Sequence, residues 1–154
     1  MYGMVNRALE SLIRSKFGEP VWEDIKAKAG VDVPLFLSSE SYPDEMTYQL
    51  AGAASAVLQT PLDELLEVFG HYWVTKTAVD GYGPLMASAG ANLKEFLLFL
   101  PSFHARVQLM FPHLAPPRFT CSDVGEDRLT LHYHSDRPSL APFVVGAVRG
   151  LGEL

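Results

Sequence analysis

The hydrophobic period of this chain changes at Arg118, and no other feature constrains its fold as strongly. Ahead of that residue, apolar side chains recur three and four positions apart, the spacing of one helix face. In "MVNRALESLIRSKFG" they are Val5, Leu9 and Leu12, with Gly18 as the stop. A second helix has Pro20 in its first turn, carries Val21, Trp22, Ile25 and Ala29, and ends at Gly30. A third covers Glu45 to Val57. "TPLDELLEVFGHYWV" predicts a fourth, with Thr60 as N-cap and Pro61 in the first turn. "DGYG" is expected to turn, and "ANLKEFLLFL" restarts a helix with Asn92 as cap and Glu95 three residues on. Pro101 lacks a backbone donor and is expected to end that helix, so that "PSFHARVQLMF" begins another with His104 in its first turn. From Arg118, "RFTCSD" and "RLTLHYHS" alternate on either side of "VGED". This predicts a hairpin with Leu129, Leu131 and Tyr133 on one face. A last helix is expected from near Pro138, carrying Leu140, Phe143, Val144, Ala147 and Leu151. Helices followed by one hairpin describe an α+β chain, and 154 residues suffice for a single domain without staples.

Charge and cysteine usage narrow the classes of function. The formal net charge is -6 and no Lys/Arg run exists to neutralise phosphates, which excludes a nucleic-acid partner. Cys121 is the only cysteine, so neither an internal disulfide nor an all-cysteine metal site can form, and a reducing cytoplasm is the expected compartment. On a predicted strand, Cys121 reads as a small buried apolar residue before it reads as a modified thiol. Arg7, Glu10, Arg14 and Lys16 interrupt any signal-peptide core, and no apolar run is long enough to span a membrane. Hydrophobic residues make up 48% of the chain and charged ones 19%, which leaves room to bury an apolar ligand beside the core.

The stretch "LHYHSDRP" places Tyr133, Ser135 and Arg137 at every second position, so a phenol, a hydroxyl and a guanidinium leave one face of a strand. Such a face is either solvated or aimed at acceptor oxygens, carboxylate or phosphate. Tyr133 shares it with Leu129 and Leu131, which argues for burial and makes an unpaired Arg137 costly. Of the histidines His71, His104, His113, His132 and His134, His104 follows Leu97 and Leu100 and precedes Val107 and Phe111, on or beside an apolar stripe. A core histidine satisfied by backbone is one reading. A lone histidine cannot hold zinc or mononuclear iron, but it can hold haem iron, because the porphyrin supplies the four equatorial nitrogens. Haem is a flat apolar plate with two carboxylate tails, and its site needs a hydrophobic slot, an axial ligand and a carboxylate clamp.

The Y-x-S-x-R pattern in "YHSDR", the upstream histidine of "LPSFHARV", the intervening "FPHLAPPRFTC" and the opening "MYGMVNRALE" together resemble the H-NOX family. These are haem nitric oxide/oxygen-binding sensors that include the regulatory domain of soluble guanylate cyclase. The resemblance runs along the whole chain. It implies a haem b (iron protoporphyrin IX) held between a helical part, about 1–60, and a haem-enclosing, sheet-bearing part, about 61–154. His104 would be the proximal iron ligand, Tyr133, Ser135 and Arg137 would clamp the propionates, and Pro117 in "APPRF" would press on the porphyrin. Oxygen-binding members carry a distal tyrosine on the last helix. Here Phe143 matches that place and no tyrosine follows Tyr133, so nitric oxide is expected to be favoured over oxygen, with carbon monoxide also bound. Trp73, in "GHYWVTK", matches a distal aromatic and is read as an apolar wall together with Val5, Leu9, Leu140 and Phe143.

The resemblance implies a switch rather than an enzyme, read by a histidine kinase or cyclic-di-GMP enzyme on another chain. Two features depart from the family pattern. Phe103 stands where a leucine is common, and the chain stops at Leu154, before a further pair of strands that relatives carry. The competing readings are a haem enzyme of peroxidase or nitrite-reducing type and a haem-free interaction domain. The first needs a distal acid/base pair, for which His71 is the candidate, although its helix should point it elsewhere.

Overall fold

Two glycines with left-handed backbone set the first corners of the chain. In the computed structural model, which describes residues 1–154, α1 (Gly3–Phe17) ends at Gly18 (φ 89°) and α2 (Glu19–Ala29) ends at Gly30 (φ 66°). With α3 (Asp44–Leu58) and α4 (Leu62–Tyr72), these helices close a first core around Leu9, Leu12, Ile13, Trp22, Ile25, Phe36 and Leu50, each at most 1% exposed. Full burial of each such side chain contributes roughly 1.5–3 kcal/mol. Asn6 and Thr47 are the buried polar residues here, and Thr47 Oγ1 donates to Asn6 Oδ1 at 2.7 Å across the α1–α3 contact.

α4 runs without a break into a π-helical stretch, Trp73–Ala78, and then into α5 (Val79–Ala87). A second core joins Val74, Ala78, Met86, Phe96, Leu97 and Leu100 to Phe119 of the hairpin. α6 (Leu93–Met110) supplies Phe96, Leu97 and Leu100, covered by β1 (Arg118–Ser122) and β2 (Thr130–His134). The strands are antiparallel, with Phe119 opposite Tyr133 and Cys121 opposite Leu131. Leu129, Leu131 and Tyr133 pack on this core, as the alternation predicts.

α7 (Ala141–Leu151) lies on α4 at backbone contact. A Cβ on Gly70 would sit 1.9 Å from the Phe143 carbonyl oxygen, and one on Gly146 would sit 1.9 Å from that of Glu67. An Arg149–Glu67 ion pair and a 2.8 Å His71 Nε2–Glu153 contact flank the crossing.

Four local expectations are corrected. Thr60 does not cap α4: its hydroxyl donates back to the Leu58 carbonyl, and Pro61 holds the cap position. "DGYG" lies inside α5 and bends the chain at Tyr82 (φ −137°, ψ 17°) without turning it. The last helix begins at Ala141, because Ser139 takes a left-handed φ of 62° that helix geometry cannot include. Most consequential, Pro101 lies within a continuous α6. The carbonyl it cannot serve, that of Leu97, meets the Cys121 thiol of β1 at 3.8 Å. His104 therefore sits deep in a long helix and not in a first turn. At the start of α6 the expected cap is present: Asn92 Oδ1 accepts from Glu95 N–H at 3.0 Å, and the Glu95 carboxylate accepts from Ala91 N–H at 2.8 Å.

Candidate functional site

Between the two cores lies a cavity of about 320 Å³, within the range of small-molecule sites, and 20 of its 29 lining residues are hydrophobic. It is thus an apolar slot. α1 supplies Met4, Val5 and Leu9, α4 supplies Leu66 and Phe69, the π-helical stretch supplies Trp73, and Leu140 and Phe143 enter with α7. α6 supplies Phe103, His104 and Val107, and the segment before β1 supplies Pro116 and Pro117. Tyr133, Ser135 and Arg137 follow from β2 and form the polar end. Every residue nominated from the sequence (Val5, Leu9, Trp73, His104, Pro117, Tyr133, Ser135, Arg137, Leu140 and Phe143) therefore lines one cavity. His71 does not line it and is engaged with Glu153.

The His104 ring is half-buried, with its centroid 6.0 Å from that of Phe103 and 5.7 Å from that of Phe119. Burial alone pushes its pKa down to about 4, with no hydrogen-bond partner and no neighbouring charge contributing. At neutral pH this is a neutral imidazole with its ring nitrogens available. No group of three or more His, Cys, Asp or Glu side chains is placed to hold a metal ion. A metal bound by His104 would have to bring its other donors with it.

At the polar end, Arg137 Nε donates to Asp44 Oδ2 at 2.6 Å and Nη1 donates to the Ala115 carbonyl at 2.7 Å. Three of the five guanidinium N–H groups remain for a ligand. Ser135 Oγ accepts from Arg137 N–H at 3.1 Å, which leaves its own proton to donate. Asp44 was invisible to sequence reasoning, since it lies 93 residues from Arg137. Burial raises the Asp44 carboxyl, but Arg137 and the Met1 amine, both bound to it, outweigh burial and hold it below the usual range. The other missed wall residues, Met4, Leu66 and Phe69, carry no signal that separates them from ordinary core.

The cavity also touches the phenols of Tyr2, Tyr48 and Tyr82. Tyr2 Oη accepts from His113 N–H at 3.0 Å, Tyr48 donates to the Pro138 carbonyl at 2.9 Å, and Tyr82 points at Met4 Sδ at 4.0 Å.

The family model described as Haem-NO-binding matches residues 2–154. The chain belongs to that family. Among its relatives are soluble guanylate cyclases of Caenorhabditis elegans: gcy-37 is 33% identical over 97% of this chain, and gcy-34 is 30% identical over 100% of it. The match spans only 22% and 23% of those proteins. An H-NOX protein from S. oneidensis in the Fe(II)NO ligation state superposes with a TM-score of 0.88 at 17% identity, covering 99% of this chain and 84% of that one. The Fe(II) unliganded H-NOX protein from K. algicida gives 0.85 at 22% identity, covering 96% and 80%. These two matches establish the H-NOX fold, helix-rich with a small antiparallel sheet. Members of this family bind haem, and the donor set here fits one: an apolar slot, one unpartnered imidazole and a clamp with spare donors. No helix is long and apolar enough to cross a membrane.

Proposed function

We propose that this Haem-NO-binding domain is a gas sensor that takes nitric oxide and carbon monoxide at ferrous haem b and discriminates against oxygen. The observation that carries the reading is the convergence of His104, with no hydrogen-bond partner, and the Tyr133/Ser135/Arg137 donors on one apolar cavity. His104 would be the axial ligand, the three donors would hold the propionates, and Pro117 would bear on the porphyrin. Residues 1–60 and 61–154 would form the two sides that enclose it.

Bound haem, held by His104 and the Tyr133/Ser135/Arg137 clamp, would supply a ferrous iron able to take a diatomic gas. The remaining work falls to the chain. Val5, Leu9, Leu140, Trp73 and Phe143 present carbon and aromatic faces to the gas side, and Phe143 carries no hydroxyl. Oxygen binding would need a hydrogen-bond donor in a dry pocket, and nitric oxide and carbon monoxide would depend on one far less. Of the phenols that reach the cavity, those of Tyr48 and Tyr82 donate elsewhere, whereas Tyr2 accepts from His113 N–H and keeps its own proton. His104 has no hydrogen bond to retain it, so its release would let α6 shift against the hairpin, a population change that a partner can read. The partner would be an effector enzyme, a histidine kinase or cyclic-di-GMP enzyme on a separate chain, in the cytoplasm.

The test is an anaerobic spectral titration of the dithionite-reduced protein with nitric oxide, carbon monoxide and then air. A histidine-ligated spectrum that shifts with the first two and forms no stable oxygen complex is expected. A stable oxygen complex would overturn the selectivity, and the absence of a Soret band after haem supplementation would overturn the whole reading.

A further inference from the structure

A ligating imidazole is ordinarily fixed in plane by a hydrogen bond from its second ring nitrogen to a carboxylate, carbonyl or water. Without that bond, its terminal torsion is a broad two-fold well and packing must set the angle. His104 has no such partner in the protein, and only two aromatic rings lie beside it. Phe103 is its neighbour on α6 and moves with it. Phe119 lies on β1, is 8% exposed, and stands 5.7 Å from the His104 ring with 39° between the planes. Its position is fixed from outside α6: it faces Tyr133 in the hairpin register, with ring centroids 5.6 Å apart.

We infer that Phe119 is a positioning residue that sets the plane of the His104 imidazole and couples it, ring against ring, to Tyr133 of the clamp. The inference rests on His104 being the axial ligand. Its physical content is that the hairpin holds both ends of the site. Tyr133 reaches the carboxylate end while Phe119, directly opposite it on β1, reaches the ligating helix. Any displacement of α6 along the hairpin changes the overlap of His104 with Phe119, so ligation strength and helix position become one variable. No hydrogen bond from the His104 ring itself opposes that sliding, as one would if His104 were anchored by a carboxylate.

The experiment is resonance Raman spectroscopy of the ferrous, unliganded, haem-loaded protein, read at the iron–histidine stretching band. Phe119→Leu keeps an apolar residue of similar volume and removes the ring; Phe119→Met serves the same purpose if the leucine variant does not fold, which thermal melts by circular dichroism would show. Phe119→Tyr keeps the ring, and Tyr133→Phe keeps the stack while removing the phenol oxygen. The ring-deleted protein is expected to show a band broadened and displaced by more than the wild-type half-width, with His104 released at several-fold lower nitric oxide. Phe119→Tyr is expected to keep the wild-type band, and Tyr133→Phe, which removes a clamp oxygen, to lose haem faster to apomyoglobin. A wild-type band in the ring-deleted protein would overturn the role of Phe119 while leaving His104 as ligand. A wild-type protein with haem but no iron–histidine band would overturn the ligation on which the inference stands.

Discussion

Asp44, the first residue of α3, accepts a 2.6 Å hydrogen bond from Nε of Arg137, just beyond β2. The pair ties the first helical core to the strand that carries the polar end of the cavity. It also divides the guanidinium, with one edge held by protein and the rest turned to the site. An Arg137 without Asp44 would keep its charge but be held by the Ala115 carbonyl alone.

Replacing Asp44 by Asn tests that pair through pH. The Asp44 carboxyl lies below its ordinary value, so its contribution is present above the unfolded-state pKa and is lost as pH falls through the folded one. Both partners are partly solvated, with side chains 27% and 34% exposed, which limits the effect to about 0.2–1 kcal/mol. Urea denaturation of Asp44→Asn should show that loss near neutral pH and none once the wild-type carboxyl is protonated. A deficit that persists unchanged into strong acid would show that the pair is not its source.

In the haem-free protein, His104 should make stability fall with acid in a different window. Its folded pKa of about 4 lies below the 6.5 of the unfolded chain, so folding favours the neutral ring. The stabilisation is full above 6.5 and is lost as pH drops towards 4, by at most ~3 kcal/mol. Denaturant melts across this range, compared with His104→Gln, isolate the contribution. The glutamine variant should lack the slope, and an equal slope in both proteins would assign it to another group.

How much of this was legible in the sequence divides along a physical line. Where partners are local, the reading held except at Thr60, whose hydroxyl turns back to Leu58: the 3.6-residue period of α1, the glycine stops at Gly18 and Gly30, the Asn92 cap, and the period-two face that joins Leu131 to Tyr133. It failed where a distant residue satisfies what the local chain cannot. Pro101 reads as a helix end until Cys121, on another element, meets the Leu97 carbonyl. Arg137 reads as a lone cation until Asp44 arrives from the other core. Nothing in the periodicity of "WVTKTA" announces a π-helical stretch.

Gly70→Ala probes the contact between α4 and α7. The added Cβ would lie 1.9 Å from the Phe143 carbonyl, which is main chain and cannot rotate away, so the helices must separate. Overpacking of this kind costs about 1–3 kcal/mol and here should reach the upper end. Thermal melts should show a lower Tm, and carbon monoxide affinity should change with it, since α7 carries Phe143 into the cavity. Gly52→Ala, exposed within α3 where an added Cβ meets nothing within 4 Å, is the control: it should raise Tm slightly, by the helix-propensity gain of about 0.5–1 kcal/mol, and leave carbon monoxide affinity unchanged.

Phe143→Tyr addresses gas choice itself. Phe143 lines the cavity with its ring 5.2 Å from that of Phe69 and 6.3 Å from that of Trp73, so an apolar cage holds the plane of any ring at this position. A para hydroxyl would add one donor to a wall that otherwise offers carbon. In a dry site a neutral hydrogen bond is not offset by lost hydration, and about 1.5 kcal/mol of net gain corresponds to roughly a tenfold slower oxygen dissociation. Stopped-flow mixing of the reduced variant with air should therefore reveal an oxygen complex that the wild-type protein does not accumulate. Carbon monoxide dissociation, which depends little on a donor, should change by less than about threefold. If the tyrosine variant still forms no oxygen complex while keeping its carbon monoxide spectrum, the wall at Phe143 does not control selectivity.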